Sequence, residues 1–268
     1  MRADGTGKAS ALERSRTAFK SSQVKDVVKR YLGPRAVHAL RPLKQKADQW
    51  KDRQDISPSL AKVRPLTMVP EPSLLQLTRL VRVALKERIG GDFVECGVWR
   101  GGAAFLMADM LRRGGTKDRK VWLCDSFEGL PPPEQVDGPA AFSWAKDKHG
   151  PSYHDNCRAG FEDVAHSAMV LGLQEYTTLV PGWFEESLPA YRERIGAIAL
   201  LRIDCDWHSS VLTCLENLYD SVAPGGFVIF DDYYTWDGCA LAVHEFLGGR
   251  HLSHRLVADP LGVYFRKR

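Results

Sequence analysis

Two stretches decide the fold: Ile198-Ala-Leu-Leu-Arg-Ile-Asp-Cys-Asp206 and Gly226-Phe-Val-Ile-Phe-Asp-Asp232. Each is an apolar, strand-like run that ends in a pair of acids. In an open parallel sheet the C-terminal ends of adjacent strands share one edge, and ligands bind there. Two neighbouring strands ending this way bring Asp204, Asp206, Asp231 and Asp232 within a few ångström of one another. Carboxylates that close repel, and burying them without a counter-charge is unfavourable. A hard divalent cation with oxygen ligands meets that need, and an oxygen-only donor set favours Mg²⁺ over Zn²⁺. A single acid after a strand would mean less, because Asp is a common helix N-cap.

Working outward, strands and helices alternate. Strands are expected over 92–96, 120–124, 176–180, 198–203 and 226–230, with a terminal pair near 254–258 and 262–266. Helices are expected over Leu74–Arg88 (capped by Ser73 and ended by Gly90-Gly91), 102–113, roughly 160–171, 209–222 and 238–247. This order predicts an α/β, mainly parallel sheet covered by helices on both faces. Pro58, Pro65, Pro70 and Pro72 suggest a linker before the main domain. Between Ser126 and Asp155, Pro131-Pro-Pro133, Gly138-Pro139 and Gly150-Pro151 argue against a regular helix, and loops of this length usually carry function. With Phe142, Trp144 and Tyr153 offering apolar surface, the segment reads as a long lid loop, although the same rings can anchor it to the core.

A chain of 268 residues with 44% hydrophobic residues holds one large α/β domain plus an extension. No apolar run approaches the ~20 residues that span a bilayer, and the first residues lack a secretion signal's apolar stretch. The six cysteines show neither a CxxC pair nor zinc-type spacing, so reduced thiols and a cytoplasmic location are expected. Cys96, Cys124 and Cys205 fall at expected strand ends. Charge is uneven. Residues 1–53 hold 14 Lys/Arg against 5 Asp/Glu, a net of +9, which leaves −5 on the remainder of a chain that totals +4. This basic arm lacks the aromatic interleaving that stacks bases, so nucleic acid is not expected, and neither is a membrane. Val24, Val27, Val28, Tyr31 and Leu32 recur at helical spacing and suggest an amphipathic helix that packs on its own domain or a neighbouring subunit.

The turn Glu95-Cys-Gly-Val-Trp-Arg-Gly-Gly102 follows the first strand. It is neither a P-loop nor GxGxxG, because Trp99 stands at the second glycine position. Glu95 suits a cofactor with a positive group, such as the methionyl ammonium of S-adenosylmethionine. Asp125 ends the second strand, where an acid accepts from ribose hydroxyls.

Together with Asp125-Ser-Phe-Glu-Gly-Leu-Pro131, Gly182-Trp-Phe-Glu-Glu-Ser-Leu-Pro189, Asp204-Cys-Asp206 and Asp231-Asp-Tyr233, this turn resembles the macrocin O-methyltransferase family. The resemblance runs over roughly 64–266 and leaves the first 55 or so residues outside. It implies a class I methyltransferase fold over 64–268 behind an extension of residues 1–63. It also implies S-adenosylmethionine and Mg²⁺ as cofactors, and transfer of a methyl group to a sugar hydroxyl of a glycosylated natural product. By the same resemblance Asp204, Asp231 and Asp232 hold the metal and Asp206 is the general base. Thr67, Met68, Glu95, Gly97, Gly101, Asp125, Ser126 and Trp183 hold the cofactor, although Trp183 also reads as a core aromatic. Trp144 and His208 are candidate acceptor contacts, His208 being equally the residue that opens helix 209–222. A homo-oligomer is implied too. Ala103 and Trp207-His208 depart from the family pattern, where serine and Leu-Tyr are usual. A catechol-type enzyme acting on a phenolic diol, and a non-catalytic binding module, are the alternatives.

Overall fold

The computed structural model describes residues 56–258 and 262–268. The chain divides into Met1–Ile56 and Ser57–Arg268, and the account below concerns the second unit. The amphipathic helix expected around Val24–Leu32 lies outside the described residues.

Seven strands form one sheet: β1 (Asp92–Cys96), β2 (Val121–Asp125), β3 (Thr177–Pro181), β4 (Ile198–Ile203), β5 (Val222–Phe230), β6 (Val257–Ala258) and β7 (Val263–Arg266). Their spatial order is β3-β2-β1-β4-β5-β7-β6. The first five are parallel, and β7 runs antiparallel to both β5 and β6. The order reverses between β1 and β4, so their C-terminal ends open the crevice where α/β sheets bind ligands. Strand β4 is buried along its whole length, as expected of a central strand covered on both faces.

Among the described residues, the helices that position the site are α1 (Glu71–Lys86), α2 (Gly102–Arg113), α3 (Gly138–Lys146), α4 (Phe161–Val170), α5 (Phe184–Ile195), α6 (His208–Leu218) and α7 (Asp237–Gly249). Leu188, Val211, Leu215 and Val243 from α5, α6 and α7 share one core with Val94, Cys96, Leu201 and Ile203 of the sheet. The opposite alternation, Phe93 and Glu95 on β1 and Leu200 and Arg202 on β4, faces the other layer, where α1 packs on α2.

Several sequence expectations are corrected. Helix α1 starts at Glu71 without a side-chain cap, so Ser73 is not its cap and Pro72 lies in its first turn. The first-turn amides have no intrahelical partner, which is why proline is tolerated there. Residues 56–63 are helical and Arg64–Leu66 form a 3₁₀ turn, so the proline-rich stretch is not an open linker. The same rule explains α3, a nine-residue helix inside the segment expected to be irregular, with Pro139 in its first turn. Helix α5 was missing from the sequence reading, because Pro189 lies within it. Proline removes the bond to the carbonyl four residues earlier. That carbonyl belongs to Glu185, which like Pro189 is exposed, so water can satisfy it. Strand β5 begins at Val222 rather than Gly226, with a register shift that accommodates Pro224 and Gly225.

Candidate active site

The glycine turn is closed by contacts between strand ends. Gly97 has φ +81°, and a Cβ there would stand 1.8 Å from the Asp204 carbonyl oxygen. Only glycine permits β1 and β4 to exit this close together. Gly101, at φ +84°, starts α2 and lies against the Phe105 ring. Asp125 fastens the turn from β2. Its Oδ2 accepts from the amides of Val98 (2.7 Å) and Trp99 (3.3 Å), and its Oδ1 from that of Phe127 (2.7 Å). Burial still raises its pKa, against the pull of those three amides. Trp99 adopts φ +47°, packs against His154 and Arg100, and keeps its indole N–H buried without a partner.

At the ends of β4 and β5 the acids converge as their strand positions require. One carboxylate oxygen from each of Asp204, Asp231 and Asp232 lies within 4.8 Å of the others. Asp206 adopts φ +59°, which turns its amide toward Asp232 Oδ2 (3.2 Å). Its own Oδ1 accepts from Trp236 Nε1 at 2.5 Å. Burial, then the charge of Asp204, pushes the Asp206 carboxyl up to about 7, while the Trp236 hydrogen bond opposes the shift. Asp232 is raised as well, by burial and then by Asp206 and Asp204. An acid that titrates near neutrality suits proton abstraction at neutral pH.

Arg202 and Glu95 face each other across β1 and β4 and are both buried, at 2% and 1% exposure. The Arg202 guanidinium hydrogen-bonds Glu95 Oε1 and Asp204 Oδ2 through Nη1. Nη2 lies 2.8 Å from Asp231 Oδ1, off the N–H direction, so that contact is ionic rather than a hydrogen bond. Burial lifts the Glu95 pKa to about 8, with Arg202 opposing. Its Oε2 is buried and unpartnered.

The glycine turn and the acid cluster open on one cavity of about 780 Å³, a size typical of ligand sites. Met68, Gly97, Asp125, Ser126 and Trp183 line it together with Asp204, Asp206, Asp231, Asp232, Trp144 and Trp236. Four residues singled out from sequence do not line it. Thr67 accepts the Val69 amide and packs on Gly102. Glu95 is committed to Arg202, and Gly101 to the start of α2. His208 opens α6 rather than lining the acceptor side: its amide donates to Asp137 Oδ1, and its ring pairs with Glu245 on α7.

The expected lid has a definite structure. Asp137 is buried, accepts the amides of His208 and Glu134 at 2.7 Å each, and touches Gly238 at the start of α7. It thereby pins α3 to the first turns of α6 and α7. Residues His154, Asp155, Asn156 and Cys157 all have positive φ and form a left-handed turn, closed by Asn156 on Leu130. Trp144, Trp207 and Trp236 meet edge to face at 5.2 to 6.2 Å. Each indole N–H is used inside the protein, on Ser152, Pro131 and Asp206 respectively. The aromatic wall therefore offers ring faces, not donors. Sequence reading missed Arg202, Asp137 and Trp236. Arg202 carried a signal, since an arginine inside a wholly apolar strand implies a buried acid; the other two carried none.

The family model "Macrocin-O-methyltransferase (TylF)" matches residues 7–267. It therefore reaches into the basic extension that the motif reading had left outside the family. A tetracenomycin 4'-O-methyltransferase of Streptomyces olivaceus, named for an 8-demethyl-8-(2,3-dimethoxy-alpha-L-rhamnosyl) substrate, is 37% identical over 204 residues, 75% of each chain. The mycinamicin III 3''-O-methyltransferase of Micromonospora griseorubida is 33% identical over 75% of this chain and 78% of its own. The solved structure of the O-methyltransferase NovP superimposes with a TM-score of 0.68 at 33% identity, over 75% of this chain and 82% of that one. At 23% identity and a TM-score of 0.56, the calicheamicin methyltransferase CalS11 shares the fold. By its motifs, its sheet order and these matches, the chain belongs to the macrocin O-methyltransferase family.

Proposed function

We propose that residues 64–268 form an S-adenosylmethionine- and Mg²⁺-dependent O-methyltransferase domain that methylates a sugar hydroxyl on a glycosylated natural product. The observation that carries this reading is a single cavity lined both by the glycine turn and by three converging aspartates. The rhamnosyl and mycinamicin substrates named for the relatives support the acceptor class. The residues fit both cofactors. Asp204, Asp231 and Asp232 form an oxygen-only donor set for a hard dication. Trp99 lines the cavity, and its orphaned Nε1 is a buried polar atom beside the turn that a polar cofactor can satisfy.

When bound, S-adenosylmethionine supplies the methyl group, and Mg²⁺ lowers the pKa of the acceptor hydroxyl. The chain's own residues do the rest. Asp206 removes the hydroxyl proton, a contribution of about 10²–10⁴-fold when well placed. Trp236 holds that carboxylate in its acting rotamer through the indole N–H. Trp144 and Trp236 present ring faces to the apolar side of the acceptor, and α3, fixed by Asp137, excludes water from the proton transfer.

The same aromatic wall favours one second reading, a flat phenolic diol as acceptor. Mass spectrometry of products from paired glycoside and catechol incubations separates the two. Glycoside methylation by the wild type, lost at least 100-fold in Asp206→Asn, is the expected outcome. Methylation of catechols alone contradicts the sugar assignment, and undiminished turnover in Asp206→Asn removes the base assignment. A chain that binds no S-adenosylmethionine by calorimetry would be a binding module instead.

A further inference from the structure

The mechanism above leaves one buried charge unused. Arg202 is the penultimate residue of β4, in a run otherwise made only of aliphatic side chains. It is 2% exposed and reaches the carboxylates of Glu95, Asp204 and Asp231. One guanidinium cannot neutralise Glu95, Asp204, Asp206, Asp231 and Asp232 together, so it does not replace a dication. Its contacts are also selective. It engages one oxygen of Asp204 in a hydrogen bond at 2.6 Å and one of Asp231 at 2.8 Å without alignment, whereas Asp232 accepts the Asp206 amide. Glu95 hydrogen-bonds the guanidinium from the neighbouring strand and fixes where the fork points. Because Arg202 and Glu95 are register partners on β4 and β1, their geometry is set by the sheet, not by a loop.

We propose that Arg202 is a positioning residue that holds the Asp204 and Asp231 carboxylates in the arrangement the metal needs before the metal arrives. This rests on reading the three aspartates as the metal centre. The planar guanidinium fixes the Asp204 carboxylate by a directed bond from Nη1 and draws Asp231 to its Nη2 edge by charge; the ammonium of lysine carries the same charge without that geometry. Outer-shell partners of this kind typically change metal affinity 10–100-fold when lost. The rival role is that of a competitor, a cation already seated where the dication should bind. The two roles predict opposite signs when the positive charge is removed.

The test is titration of the intact, cofactor-free protein with Mn²⁺ alone, followed by calorimetry and by the electron paramagnetic resonance of free Mn²⁺. Arg202→Lys and Arg202→Met are both expected to bind Mn²⁺ about 10–100-fold more weakly than wild type. In turnover, the Mg²⁺ KM should rise in Arg202→Lys while kcat at saturating Mg²⁺ is largely kept. Wild-type affinity in Arg202→Lys, or tighter binding in Arg202→Met, overturns the proposal. A wild type that binds no Mn²⁺ overturns the metal reading instead. Should thermal melts show these variants unfolded, crystals of the wild type grown with and without Mn²⁺ decide the matter. Asp204 and Asp231 are expected to stay on Arg202 in both, and their swinging away when Mn²⁺ binds contradicts it.

Discussion

Replacing Trp236 by phenylalanine keeps the ring that meets Trp144 and Trp207 but deletes the indole N–H donated to Asp206 Oδ1. A hydrogen bond to a charged group contributes about 1.5–3 kcal/mol. At about 1.36 kcal/mol per pKa unit, its loss raises the Asp206 pKa by roughly one to two units. The direction follows from the balance at Asp206, where burial and Asp204 push the pKa up to about 7 and Trp236 opposes them. A base must be ionised to act, so the acidic limb of the kcat profile should move to higher pH by about that amount. Well above the variant's own limb, wild type and variant should turn over at nearly the same rate, because most of the Asp206 is then ionised in both. The assay is methyl transfer at saturating S-adenosylmethionine, Mg²⁺ and acceptor across pH 5 to 10. An acidic limb that stays in place while kcat falls equally at every pH would refute the reasoning.

Gly97→Ala combines a left-handed backbone, costing about 1–2 kcal/mol, with a Cβ 1.8 Å from the Asp204 carbonyl oxygen. Destabilisation of roughly 4 kcal/mol or more is expected, equivalent to a melting temperature lower by about 10 °C; a change under 2 °C would mean β1 and β4 separate easily. Asp137→Ala orphans the His208 and Glu134 amides, at about 1–3 kcal/mol each, and should make α3 the first site of limited proteolysis. Protection equal to wild type would remove Asp137 as the lid's anchor. The metal-free protein should lose stability as pH rises from about 4 to about 7. The carboxyls of Asp206 and Asp232 have raised pKa values, so in that window the native state binds more protons than the unfolded chain. That stability is fully present below the unfolded carboxylate range and is lost as pH passes through the folded values, on the order of a few kcal/mol. Excess Mg²⁺ should flatten the trend and release protons on binding; a metal-free melting temperature that rises steadily to pH 8 would contradict the coupling.

What sequence could reveal follows from the range of the forces involved. The mainly parallel sheet and the meeting of Asp204, Asp231 and Asp232 rest on apolar runs that alternate with helices and on strand-end acids, both local signals. Helices α3 and α5 were hidden because proline is a breaker only where its missing N–H matters, and neither Pro139 nor Pro189 breaks a bond that water or helix geometry cannot spare. Glu95 was legible as an acid beside the cofactor turn, yet its partner Arg202 lies 107 residues away. Such a pair is visible only once β1 and β4 are neighbours. Asp137 and Trp236 belong to the same class, since their partners come from other elements. His208 shows the converse: it lies next to the acid pair in sequence, but the start of α6 turns its ring away from the cavity.

The decisive measurement is methyl transfer from labelled S-adenosylmethionine to a glycosylated acceptor, run after stripping the protein with a chelator and again after returning Mg²⁺. Label should enter the sugar only when Mg²⁺ is returned, with Asp232→Asn remaining inactive at Mg²⁺ concentrations that saturate the wild type. Full incorporation by the stripped enzyme, or by the variant, would show that the carboxylates at the ends of β4 and β5 are not a metal centre.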